Sequence, residues 1–259
     1  MFLNLFHKTG TAIGMHGRAF GFIMKNGMGW IFLIPILFTM ALFYGGFSLI
    51  NFSSDIADEF IHKQMTFTGW LSFLNWFIET FLLIFIQLAL WLIYSFVGGY
   101  IVLILMSPFL AYVSEKTEKI QTGKNYPFEL IHFIKDVFRG ILIAIRNALC
   151  EFGIIILIFI LSFIPIIGQI AGSILGSIFL FIVSAYFYGF SFMDYALERK
   201  GLQLHESVQF VRKRKGIAIG NGFLSALALM IPFAGTFIAC FIAVLSTVSA
   251  TLMILEEEE

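Results

Sequence analysis

The sequence predicts an all-α integral membrane protein: two long transmembrane helices, then two partly inserted (hemi-penetrating) helical hairpins, with amphipathic helices at the interface. Three observations carry this. Of the 259 residues, 59% are hydrophobic and only 12% charged, where an ordinary soluble domain is about 25% charged. The Lys and Arg residues gather in a few segments between long apolar runs. Two later runs turn at the same pattern, Ile164-Pro165…Gly168-Gln169 and Ile231-Pro232…Gly235-Thr236. A mean hydropathy of +0.94 leaves far more apolar surface than one small core can hide. A soluble globular fold is excluded, two Cys exclude a disulfide framework, and zero formal net charge removes the case for nucleic acid.

The elements of this single membrane domain (1–259) follow in order. In 1–29, Phe2, Leu3, Phe6, Ile13, Phe20 and Ile23 interleave with Lys8, His16 and Arg18, the pattern of a helix lying in the interface. Arg18 breaks the apolar stretch, so a cleaved signal is not expected. Residues 30–50 are long enough to cross about 30 Å of hydrocarbon, and Pro35 sits in the first turns, where a missing N–H costs least. Residues 51–70, with Asp55, Asp58, Glu59 and Lys63, form an outer loop. Residues 71–107 make a second span longer than the bilayer requires.

Residues 108–153 change texture. Ile131, Ile134, Phe138, Ile141, Ile145 and Leu149 recur at helical spacing, with Lys135, Arg139 and Arg146 on the other side: an amphipathic, cytoplasmic or interfacial segment. Hairpin 1 occupies 154–197. Its first arm, 154–164, is about 16 Å of helix, half the hydrocarbon thickness. That favours partial insertion, unless Arg139 and Arg146 are drawn into the membrane at about 2.5–3.5 kcal/mol each. A basic loop (198–216) leads to hairpin 2 (217–255). In both turns Pro stops the incoming helix and Gly supplies freedom to reverse. Lys and Arg accumulate on the cytoplasmic side, and only Lys63 falls outside. The N-terminus, 108–153, 198–216 and the C-terminus are therefore cytoplasmic. Glu256 to Glu259 reads as a solvated tail. Half-inserted hairpins need surrounding protein, which points to a homo-oligomer in contact with membrane lipid.

Candidate functional residues are few. Asn75, Glu79 and Gln87 share one face of the second span with Tyr94, Ser95 and Gly98. They form either a stripe facing a polar path or an outer-interface acid with inter-helix amides. Asp194, before Tyr195-Ala196-Leu197-Glu198-Arg199-Lys200, is either an ion pair at the membrane edge or a gate. Gly27-Met28-Gly29 precede a helix start, where free N–H groups receive anions. The five His never stand at metal-ligand spacing, and no phosphate loop, dinucleotide fingerprint or nucleophile elbow is present. No enzyme, metal or cofactor is expected.

Several stretches resemble the CysZ sulfate-permease family, also described as the etoposide-induced-protein membrane domain. Phe192-Met193-Asp194-Tyr195-Ala196-Leu197-Glu198-Arg199-Lys200-Gly201-Leu202 is similar to its D-Y-P-L-E-R-K-G-L stretch. Arg214-Lys215-Gly216-Ile217-Ala218-Ile219-Gly220 resembles R-K-x-G-x-A-x-G, both I-P-x-x-G turns match, and so does Ile34-Pro35. Pro108-Phe109…Glu115 resembles P-F-x-x-x-x-x-E. The resemblance implies two transmembrane helices with two hemi-penetrating hairpins, an oligomer in the bacterial inner membrane, and channel-like uptake of a small inorganic anion, sulfate. It places solute entry at Lys25, Asn26, Gly27, Met28, Gly29 and Trp30, and makes Glu79 and Glu115 candidates for controlling the path. Where the family carries paired arginines this chain has Gly29 and Trp30, so oxyanion recognition falls to backbone N–H groups and Lys25. The other class of function compatible with these residues is a non-transporting membrane scaffold that binds lipid or a partner through Arg212-Lys213-Arg214-Lys215.

Overall fold

The computed structural model describes residues 2–64, 73–124, 130–164, 168–169, 174–231 and 234–257. All regular structure among them is helical: α1 (Phe2–Lys25), a 3-10 turn (Gly29–Phe32), α2 (Leu33–Gln64), α3 (Phe73–Thr122), α4 (Leu130–Leu161), α5 (Ile174–Arg199), α6 (Leu204–Lys213), α7 (Lys215–Leu229) and α8 (Gly235–Glu256). Four stretches of the described residues are long and apolar enough to cross a bilayer: Gly29–Ile56, Val137–Leu161, Ile174–Arg199 and Gly235–Glu256. The protein is an all-α membrane protein.

Helices run further than the sequence suggested. α2 continues through the acidic segment to Gln64, because 51–64 contains neither Pro nor Gly and sets Glu59 and Lys63 four residues apart. α3 passes through Pro108 and ends at Gly123, whose φ of 73° no β-carbon favours. At 50 residues it is about 75 Å long, more than twice the hydrocarbon thickness. α4 does not break at Gly153. The amphipathic stretch and the first arm of hairpin 1 are one helix, so the short arm that argued for partial insertion is not a separate element. α7, at 15 residues, does stay short.

Small residues hold the bundle together. A β-carbon on Gly189 would lie 1.8 Å from the Ala218 carbonyl oxygen, and one on Gly222 would lie 2.0 Å from that of Ala185. Ala185-x-x-x-Gly189 of α5 thus crosses Ala218-x-x-x-Gly222 of α7 backbone to backbone. The other side of α7 receives α1: Gly216 and Gly220 face the Leu5 and Thr9 carbonyls, and the Thr9 hydroxyl donates to the Gly216 carbonyl (3.1 Å). α1 buries Ala12, Met15, His16, Ala19 and Ile23, one face at helical spacing, so it is docked on the bundle as well as amphipathic.

α8 is the central post, buried continuously from Ser246 to Ile254. Its small side chains let α1, α3, α5 and α7 all approach. The Thr247 and Thr251 hydroxyls donate to carbonyls one turn back, 2.8 Å each, so these polar groups are satisfied within the helix. Turn glycines also earn their place through space. A β-carbon on Gly168 would lie 2.0 Å from the Ser162 carbonyl, and one on Gly235 would lie 2.4 Å from that of Ala228. Neither is among the positive-φ glycines, so close approach, not left-handed backbone, requires them. Pro165 and Pro232 lie outside the described residues.

Candidate functional site

The end of α5 is a charged lock. Asp194, 2% exposed, accepts from both sides of the Arg139 fork: Nε to Oδ2 and Nη2 to Oδ1, each 3.0 Å. Arg139 also donates to the Ser207 hydroxyl (2.7 Å) and to the Leu202 carbonyl, while Glu198 lies 3.7 Å from its Nε. One turn on, Arg199 donates to Glu118 Oε2 (2.7 Å), to the Ser114 hydroxyl (2.7 Å) and to the Tyr195 carbonyl (2.8 Å). Ser114 stands 2.6 Å from Thr251, extending a directed hydrogen-bond chain into α8. Gly201, at φ 74°, then closes α5: its N–H bonds the Glu198 carbonyl, and that of Leu202 bonds the Leu197 carbonyl. The stretch that carried the resemblance therefore ties α3, α4, α5, α6 and α8 together. Asp194 is an ion pair, and Glu118, absent from the sequence candidates, is the second acid of the lock.

The segment 25–30 is built differently from the expectation. α1 ends in a Schellman cap, with Gly27 at φ 67°, its N–H on the Met24 carbonyl (3.3 Å) and the Met28 N–H on the Ile23 carbonyl (2.9 Å). Met28 is fully buried against Ile23 and Ile31, while Lys25 and Asn26 are exposed. The Asn26, Gly27 and Met28 N–H groups are thus already committed, a correction to the idea that Gly27 and Met28 offer free donors. Gly29 and Trp30 open the following helix, whose first N–H groups lack an internal partner. Trp30 is 42% exposed, 6.0 Å from the Tyr112 ring, and the Lys116 ammonium of α3 lies 5.0 Å above its ring centre. A cation thus reaches the place where the resemblance leads one to look for arginine, but from another helix.

Other candidates stay apart. Asn75, Glu79 and Gln87 lie in the first third of α3, and Glu115, half-buried, lies about 40–60 Å further along the same helix. The C-terminal acids are not simply solvated: Glu256 pairs with Arg18 and Glu257 with Arg214, whose guanidinium also stacks 3.7 Å from the Phe210 ring. His16 sits against α8, its Nε2 3.0 Å from the Ser246 hydroxyl, and burial pushes its pKa below the usual histidine value.

One acid was missed altogether. Glu151 is 2% exposed and lies within the Val137–Leu161 stretch, where the Tyr100 and Ser184 hydroxyls each donate to one of its carboxylate oxygens. In the sequence it stands two residues before Gly153, inside the 108–153 segment expected to be cytoplasmic or interfacial. Among the described residues no three His, Cys, Asp or Glu come together as metal ligands.

The family described as Sulfate transporter CysZ/Etoposide-induced protein 2.4 matches residues 15–239. The chain belongs to this family. It is 24% identical over 221 residues to the sulfate transporter CysZ of Pseudomonas aeruginosa (strain LESB58), covering 83% of this chain and 84% of the relative. The CysZ proteins of Vibrio cholerae serotype O1 (strain ATCC 39541) and Pectobacterium atrosepticum are also 24% identical, over 217 and 227 residues. These alignments cover 83% and 86% of this chain, and 82% and 78% of the relatives. The family is one of membrane transporters, not enzymes. The charged residues of the lock fall within the matched span, as do Gly29, Trp30 and Lys116.

Proposed function

We propose that the protein is a bacterial inner-membrane permease for a small inorganic anion, with sulfate the first solute to test. The observation that carries this is the Lys116 ammonium, 5.0 Å from the centre of the Trp30 ring at the start of the 3-10 turn. A compact ammonium with rotatable donors, together with helix-opening N–H groups, suits an oxyanion, though without the bidentate fit of paired guanidinium groups. Lys25 and Glu115 flank this entry, and Asn75, Glu79 and Gln87 line the path further along α3. The proposed topology keeps the termini and the lock in the cytoplasm. Hairpin 1 (α4 and α5) and hairpin 2 (α7 and α8) enter from that side, and a homo-oligomer covers the apolar faces of α2 and α3. The antiparallel pairing of Arg139 with Asp194 and of Glu151 with Ser184 supports the first hairpin.

The test is flux of sulfate, phosphate and chloride into proteoliposomes holding the full chain. Sulfate flux should fall about tenfold in Lys116→Met, the scale of one charge-assisted contact, and recover in Lys116→Arg. Folded protein that passes none of the three anions would refute the permease and leave the lipid- or partner-binding scaffold.

A further inference from the structure

Glu151 lies at the polar end of a cavity of about 300 Å³ between α4, α5 and α7. Ser184, which donates to Glu151, and Tyr188, one turn further along α5, line it beside the acid, while Leu180, Phe181, Leu229 and Met230 make its apolar wall. Met230, which lines it, is 65% exposed. Three facts define what would fit. The carboxylate uses two hydroxyl donors and keeps acceptor capacity on both oxygens. No described cation reaches it: the neighbouring Arg146 turns away to the Asn147 amide oxygen (2.8 Å) and the Phe190 ring (5.3 Å). In an apolar setting the ionised form of such an acid is costly unless a counter-charge accompanies it.

A bare hard cation such as Ca²⁺ or Mg²⁺ would need six or more converging oxygens and would leave most of the cavity empty. The volume is at the small end of organic-ligand pockets, and most of its wall is apolar. We propose that this cavity binds a small organic cation, a primary alkylammonium, that enters from the hydrocarbon with its ammonium on Glu151 and its chain against Leu180 and Leu229. The site is separate from the anion entry at Trp30 and does not rest on the permease reading.

The test compares n-hexylammonium with n-hexanol, its neutral counterpart, by calorimetry on the full-length protein in phosphatidylcholine nanodiscs, with empty nanodiscs subtracted. Hexylammonium should saturate and bind about thirtyfold tighter than hexanol, the scale of a buried charge pair. Glu151→Gln should bring hexylammonium down to hexanol and leave hexanol unchanged. Leu229→Trp, which fills the apolar part, should weaken both. Should Glu151→Gln fail to fold, the two wild-type affinities and Leu229→Trp still decide. Equal binding of the two probes to wild type, undiminished hexylammonium binding in Glu151→Gln, or saturable binding of sodium-22 with none of hexylammonium would each overturn the proposal.

Discussion

Replacing Gly222 by alanine sets two effects of opposite sign against each other. Intrinsic helix propensity favours Ala over Gly by about 1 kcal/mol in a helix interior. The structure opposes it, since the new β-carbon would sit 2.0 Å from the Ala185 carbonyl oxygen and 2.4 Å from the Gly189 nitrogen. Both are backbone atoms, which no rotamer change can move. Ordinary contact requires α5 and α7 to separate by roughly 1.4 Å, and overpacking of that kind costs about 1–3 kcal/mol or more. These two helices also share the most extensive helix–helix contact among the described residues, so separation is felt along both. Packing should win, and Gly222→Ala should melt several degrees below wild type in detergent, at about 2–4 °C per kcal/mol. Gly153→Ala is the matched control: a helical glycine with nothing within 4 Å of its added carbon, so propensity acts alone and the midpoint should hold or rise. Because one separation relieves both clashes, Gly189→Ala with Gly222→Ala should cost less than the sum of the single changes. A Gly222→Ala protein that melts at or above wild type would refute the backbone-contact account.

Removing Arg139 (Arg139→Gln) leaves Asp194 buried without its guanidinium and should cost about 3–5 kcal/mol, seen as lost folded yield; the paired change Arg139→Leu with Asp194→Leu should cost less than either alone. Because burial lowers the His16 pKa, the unfolded chain binds its proton more readily than the folded one. Stability is then full above the ordinary value of about 6.5 and declines as pH falls through it, a loss that His16→Gln should blunt in melts between about pH 5 and 8. Gly201→Ala places a β-carbon at φ 74° and should lower stability by about 1–2 kcal/mol in the same assay. Trp30→Arg supplies a forked cation at the helix start and should raise sulfate flux relative to chloride in proteoliposomes.

What the sequence revealed depended on range. Apolar run lengths and the clustering of Lys and Arg between them expose the all-helical membrane class, because both are local properties of the chain. Breaks were harder to place: the change of texture at 153/154 suggests a boundary, yet α4 runs through Gly153 to Leu161. Periodicity put Arg139 opposite the apolar face, and the bounds 108–153 put Glu151 in a cytoplasmic or interfacial segment. Their partners, Asp194 and Ser184, lie 55 and 33 residues away, and no local pattern brings those pairs together. Asp194 was legible as an ion pair but its partner was not. The Lys116–Trp30 contact was hidden for the same reason, with α2 and most of α3 between the two residues in the chain.

The strong contacts are unevenly distributed, and that bears on how a permease of this build would respond to solute. The ion pairs of the lock and the glycine contacts join α1, α4 to α8 and the end of α3. α2 holds few buried residues, 12% of its apolar window against 72% for α8. The candidate entry lies where these two parts meet. Met28 and Ile31 are fully buried in the packed body, Gly29 and Trp30 stand between and beside them, and α2 begins at Leu33. Lys116 belongs to α3 in the packed part, two residues from both Glu118 and Ser114, which Arg199 holds from the other side of the helix. On the permease reading, an anion bridging Lys116 to the N–H groups of Gly29 and Trp30 touches the fixed body with one set of donors and the start of α2 with the other. Only a ligand whose affinity differs between two arrangements can shift them. The donors here belong to parts that the ion pairs do not bind together, which gives an oxyanion a physical means of doing so.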